Sequence, residues 1–171
     1  MTLAAPSADP YLLLRLGSRT CALPGGAVRE ILPLPRLWRP PGLPRPLAGF
    51  LNLGGEALPV LDLMRLFGLA AEGAEGEAAL YRHVVVVTAG EGRLGLLVDR
   101  ALDLLRVPWA QLRPLAAEAT PNGCAVAEIE TPEGFVHLLA VERILLAQEQ
   151  AALAALQENV QARLAEWAGA G

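Results

Sequence analysis

Short apolar runs, each closed by a glycine or proline turn, set the strongest limit on what this chain can become. Runs of this kind read as β-strands joined by tight turns, because the favoured hairpin turns need residues that accept positive φ. Tyr11–Leu16, the Gly17-Ser18 turn and Arg19–Leu23 form a first hairpin. Leu47–Leu53 and Glu56–Leu61 flank Gly54-Gly55 and form a second. His83–Thr88 and Arg93–Asp99 flank a glycine-rich turn, and Ala101–Val107 continues extended to Pro108. Val126–Thr131 and Phe135–Ala140 enclose Thr131-Pro-Glu-Gly134, where proline second and glycine fourth suit a type I turn. Ala27–Leu32 fits a strand or a helical turn, and periodicity does not separate the two over so few residues. Many short strands with regular turn signals predict a mainly β protein built as a sandwich or small barrels.

Three segments depart from this pattern. Residues 33–46 hold six prolines in 14 positions, so they form an ordered surface loop or an extended linker rather than a strand or helix. Residues 70–79 alternate alanine, glycine and glutamate, which predicts a solvated loop dividing the chain near its middle. From Val141 to Ala168 there is no glycine or proline, and good helix formers dominate. Leu153, Leu156, Val160, Leu164 and Trp167 recur at spacings of three and four, one apolar stripe on an amphipathic helix about 40 Å long. The stripe packs on its own domain or on another chain. Asp62–Phe67 reads as a short helical segment ending at Gly68.

Composition narrows the function. Apolar residues are 53% of the 171, so the chain has an unusually full core or leaves apolar surface for partners. No run approaches the ~18 apolar residues of a membrane span, and Met1–Pro10 lacks a basic leader, which predicts a cytoplasmic protein with no direct membrane insertion. All 14 basic residues are arginines, scattered without a basic run, and the net charge is −4. Nucleic-acid binding is not expected from such a chain. Cys21 and Cys124 sit among apolar or small neighbours and predict buried thiols rather than a disulfide.

Catalytic chemistry finds no support. His83 and His137, the two histidines, both lie inside strand-like apolar runs, where core or edge roles are commoner than catalysis. No cysteine cluster offers zinc spacing, and no phosphate-binding glycine motif leads into a helix. Asp62 and Asp99 each close a strand-like run, a position that favours capping over proton transfer. Neither a metal nor a cofactor is expected.

The string from Gly49 to Leu63 (Gly-Phe-Leu-Asn-Leu-Gly-Gly-Glu-Ala-Leu-Pro-Val-Leu-Asp-Leu) resembles the central motif of the CheW-like domain family. That motif runs roughly Gly-x-x-Asn-Leu-Arg-Gly, then Pro, two aliphatics and Asp-Leu. Gly95-Leu-Leu-Val-Asp99, Gln111-Leu-Arg-Pro114 and Leu138-Leu139 with Val141–Leu146 resemble later family segments, in family order, so the likeness covers residues 11–147. The resemblance implies two intertwined, SH3-like five-stranded β-barrel subdomains. Residues 1–10 would then be a disordered N-terminus and 148–171 a C-terminal helical extension.

The resemblance also implies a chemotaxis signal-transduction adaptor that couples chemoreceptor cytoplasmic tips to the regulatory domain of a CheA-type histidine kinase, with other CheW-like domains as further partners. A divergent scaffold or regulator in a pilus or gene-control pathway, self-associating or not, is the alternative. By resemblance, partner contacts fall on Val28, Glu30 and Ile31, on Gly49, Asn52, Gly54 and Gly55, and on Val84, Gly95, Asp99 and Leu104. Turn geometry or close backbone approach would equally explain Gly49, Gly55 and Gly95, and core packing would explain Val84 and Leu104. Gly54 stands where the family pattern has arginine. Its loss removes a planar five-donor fork, which predicts a normal fold with altered pairing.

Overall fold

In a computed structural model describing residues 8–69, 80–116, 118 and 123–169, the chain forms eleven strands and two α-helices among those residues. In order they are β1 (Ala8–Leu16), β2 (Arg19–Pro24), β3 (Val28–Pro33), β4 (Leu47–Leu53), β5 (Glu56–Asp62), α1 (Leu63–Leu66), β6 (His83–Ala89) and β7 (Gly92–Val98). There follow β8 (Arg100–Pro108), β9 (Leu112–Pro114), β10 (Ala125–Thr131), β11 (Gly134–Leu139) and α2 (Ala147–Ala168). They build two sheets, one ordered β8-β1-β2-β11-β10-β9 and one ordered β3-β6-β7-β5-β4. The mainly β, two-subdomain reading therefore holds. One sheet has six strands rather than five, because the short β9 pairs with β10.

The chain starts in the six-stranded sheet, builds the whole five-stranded sheet, then returns. The subdomains are thus intertwined, and the crossings fall after β2 and after β7. Residues 70–79 lie outside the described residues, yet the strands on either side, β5 and β6, share one sheet. Most of the expected disordered N-terminus, residues 1–7, also lies outside the description. Ala8–Pro10, however, belong to β1, where they pair with Pro108, Val107 and Arg106 of β8.

Three apolar clusters explain why several strands lack simple alternation. In β6, Val85 and Val87 face a central core shared by both sheets, while Val84 and Val86 face the interior of the five-stranded sheet's own curl. β1 divides likewise: Leu12, Leu14 and Leu16 point to the shared core, Tyr11 and Leu13 into the six-stranded sheet. A strand buried on both faces reads as a continuous aliphatic run. Burial also pushes the Cys21 thiol up to about 11, with the neighbouring Cys124 a second contribution. Both cysteines are buried, and no disulfide joins them.

The proline-rich segment is an ordered loop. Trp38 and Phe50 exchange two backbone hydrogen bonds of 2.8 Å, which seats the loop on the free edge of β4. Ala27–Leu32 resolves to a strand from Val28. The carboxylate of Asp62 caps α1 by accepting from Met64 N–H and Arg65 N–H at 3.0 and 3.3 Å.

The C-terminal helix begins later than its composition suggests. Val141–Arg143 form a single 3-10 turn, which drops Val141 and Ile144 into the shared core, at 5% and 0% exposure. Leu146 stays extended, its N–H donating to the Glu149 carboxylate at 3.0 Å, and the α-helix then runs 22 residues. That makes it about 33 Å long rather than 40. Its stripe docks in cis: Val160 is buried and Leu153, Leu156 and Leu164 are half-buried on the shared core, while Trp167 is 81% exposed.

Candidate protein-interaction surface

The residues assigned to partner contacts by resemblance fall into two groups. The larger group has internal work to do. Gly49 is buried with φ +149°, and a Cβ there would sit 2.7 Å from the Trp38 carbonyl oxygen. It is the seat of the proline-rich loop. A Cβ at Gly95 would lie 3.0 Å from a Val60 methyl and 3.1 Å from one of Val84, so the pair Gly95 and Val84 is core. Asn52 Oδ1 accepts from Gly55 N–H at 2.9 Å and closes the β4–β5 turn. Gly54 and Gly55 have φ of +62° and +91°, the two successive positive values such a turn requires.

Asp99 belongs to a polar joint between the sheets. Arg82 donates from both terminal nitrogens to Asp62, at 3.1 Å each, and pairs through Nε with Asp99 at 3.4 Å. Asp99 in turn accepts from Gly17 N–H, in the β1–β2 turn, at 2.7 Å. The four residues tie the end of β5, the start of β6, the β7–β8 junction and the first hairpin together. Asp62 is 3% exposed, and these partners satisfy the hydrogen-bonding capacity of its buried carboxyl group. The sequence signalled both aspartates as caps but gave no sign of Arg82.

The smaller group reaches the surface in whole or in part. Glu30 and Ile31 are exposed on β3, and Val28 is half-buried against the core. Leu104, 64% exposed, stands on β8 beside Leu102 at 43%. β3 and β8 are the end strands of their respective sheets. His83 stitches the two ends together: it pairs with Pro33 of β3, and its Nδ1 accepts from Ala101 N–H of β8 at 3.0 Å. Exposed Tyr81 lies under the Arg100 guanidinium, 5.6 Å from the ring centroid, at the same junction. Apolar side chains thus stand on two open strand edges flanking the seam between subdomains. Leu102 and Tyr81 were not foreseen. The pairing of β8 with β1 shifts register between Ala101 and Leu104, so Leu102 turns toward Leu13 and Leu105, and no simple alternation marked it.

At the hairpin tip Asn52, Gly54 and Gly55 are also exposed. Gln161 and Gln157 of α2 grip the adjacent backbone. Gln161 accepts from Ala57 N–H at 2.9 Å and donates to Gly55 carbonyl oxygen at 3.0 Å, and Gln157 donates to Ala57 carbonyl oxygen at 3.1 Å. The other histidine, His137, pairs with Glu128 across β10 and β11 at 3.2 Å. Each histidine is thus part of a strand-to-strand contact.

The described residues thus form two interlocked sheets with aliphatic side chains exposed on their end strands. The chain belongs to the CheW-like domain family, whose model matches residues 10–149, a family of scaffolds and adaptors rather than enzymes. It is 34% identical over 60% of its length to chemotaxis protein CheW of Rhizobium meliloti, and 32% identical over 69% to protein PilI of Pseudomonas aeruginosa. The chain spans 64% and 66% of the length of those two relatives. Protein FrzA of Myxococcus xanthus is 28% identical over 84% of this chain and 89% of its own. The crystal structure of scaffolding protein TtCheW from Thermoanaerobacter tengcongensis superposes with a TM-score of 0.74 over 87% of this chain and 95% of that one, at 16% identity, a likeness of fold.

Proposed function

We propose that this chain is a cytoplasmic coupling adaptor that joins chemoreceptor signalling tips to the regulatory domain of a CheA-type histidine kinase. No described helix is long and apolar enough to cross a membrane, and the family match spans both sheets. The observation that carries the reading is the pair of open strand edges, β3 with Ile31 and β8 with Leu104, on either side of the His83 seam. An aliphatic patch of this kind gains free energy on burial, about 25 cal/mol per Å², and an exposed edge supplies unpaired backbone groups. The test is co-purification of the full chain with a CheA-type regulatory domain and with a receptor tip from the same cell. Capture of both supports the adaptor, and capture of neither refutes it.

A second reading rests on the relatives named PilI and FrzA, which match as well as those named CheW. In it the same adaptor serves a chemosensory pathway controlling pili or gene expression, and Gly54 tunes its pairing. The hairpin tip has room for an arginine, since no heavy atom lies within 4 Å of a Cβ built at Gly54. Gly54→Arg should therefore raise affinity for the cognate kinase domain about tenfold or more, through charge-assisted contacts of about 1.5–3 kcal/mol. Unchanged affinity removes this part of the account.

A further inference from the structure

We infer that α2 is a strap, able to open while both sheets stay folded, that covers the inner edge of β5. The edge needs a cover. β7 pairs with β5 only at Val60–Asp62, so the backbone at Gly55 and Ala57 faces away from β4 with no strand beside it. Gln157 and Gln161, one helical turn apart, fill the place of that strand: their amides take Ala57 N–H, Ala57 carbonyl oxygen and Gly55 carbonyl oxygen. Side-chain amides can offer a donor and an acceptor together, as a neighbouring backbone would. Pro59, the next position with the same facing, brings no N–H of its own.

The helix is held lightly by other means. Val160 alone of its side chains is buried among the described ones, with Leu153, Leu156 and Leu164 half-buried. Its contacts with the sheets centre on β5. Clefts run along its whole length. One of about 580 Å³ lies between Trp38, Phe50, Leu164 and Trp167, one of about 290 Å³ between Pro46, Leu61, Leu66 and Leu153, and one of about 420 Å³ between Pro59, Leu94 and Gln157. These are open grooves flanking the helix, and few buried apolar contacts mark a segment that opens below the global unfolding free energy. Trp167 ends the apolar stripe uncovered, 81% exposed. Opening exposes the Gly55–Ala57 edge and the apolar wall of Phe50, Leu47 and Leu61 beneath it. The strap therefore controls access to the Gly55–Ala57 backbone edge, while the tip at Asn52 and Gly54 is exposed in either state.

Residue-resolved amide hydrogen exchange on the full chain tests this. The Val160 amide reports the helix, because a helix of this length is marginal once undocked, and the Val85 amide reports the sheets. The strap predicts Val160 exchange at least about 100-fold faster than Val85, matched by Ala57. The Gln157→Ala/Gln161→Ala variant should speed Val160 exchange about 30-fold further and leave Val85 unchanged. Equal rates at Val160 and Val85 in the unaltered chain would overturn the inference. So would a variant in which Val160 is unaffected, or in which both amides accelerate alike, since the helix would then be part of the common core.

Discussion

Replacing Gly49 by alanine separates an architectural role from a contact role at the head of the family's motif. The residue holds φ +149°, a conformation that costs an L-residue about 1–3 kcal/mol. The new methyl would sit 2.7 Å from the Trp38 carbonyl oxygen, 3.0 Å from Leu37 Cβ and 3.1 Å from Arg39 Cγ. The nearest atom is backbone and cannot swing aside as a side-chain tip would. Relief requires lifting the loop off β4, which breaks the two 2.8 Å Trp38–Phe50 hydrogen bonds, worth about 1 kcal/mol each. Strain and lost bonds together come to about 3–5 kcal/mol. Equilibrium urea unfolding reads this as a midpoint lowered by roughly 1.5–2.5 M, for an m-value of about 2 kcal/mol per M. Gly54→Ala is the control: φ is +62° with open space around it, so it should cost about 1 kcal/mol. A Gly49→Ala midpoint no lower than that of Gly54→Ala would refute the reasoning.

Other perturbations have equally definite outcomes. Arg82→Ala strips Asp62 of its bidentate partner but leaves the α1 amides and Arg65, 3.5 Å away. Chemical denaturation should show a loss of about 3 kcal/mol. Gly95→Ala presses a methyl against Val60 and Val84 and should cost about 1–3 kcal/mol by the same assay, with kinase affinity unchanged in the folded fraction. Because burial holds the Cys21 thiol at about 11, its contribution is fully present below pH 9 and is lost as pH rises toward 11. Unfolding free energy should fall by about 1.4 kcal/mol per pH unit in that window, and Cys21→Ala should flatten the slope.

The turns were the most legible part of the fold. Gly54-Gly55 and Thr131–Gly134 each closed the hairpin their chemistry implied, and Asp62 announced α1 by being a cap. Topology was less legible, because local signals do not say which sheet a hairpin joins. Nothing in Tyr11–Leu23 shows that β1 pairs with β8 and β2 with β11, contacts made across most of the chain. The delayed start of α2 was hidden for a related reason. Val141 and Ile144 suit a helix by composition, and only the tertiary need to bury them ends the first turn.

The site residues were legible as a motif but not as surfaces. A motif combines residues kept for turns, close approach and ion pairing with those that meet partners, and the string alone does not sort them. Gly49, Val84, Gly95 and Asp99 fall on the architectural side, while Glu30, Ile31 and Leu104 face solvent. That division is the claim on which the functional account depends. Titration calorimetry of an Ile31→Asp/Leu104→Asp variant with the regulatory domain of the cognate CheA-type kinase tests it directly. The account predicts at least about a 100-fold loss of affinity with an unchanged urea midpoint. Full affinity in that folded variant would contradict it.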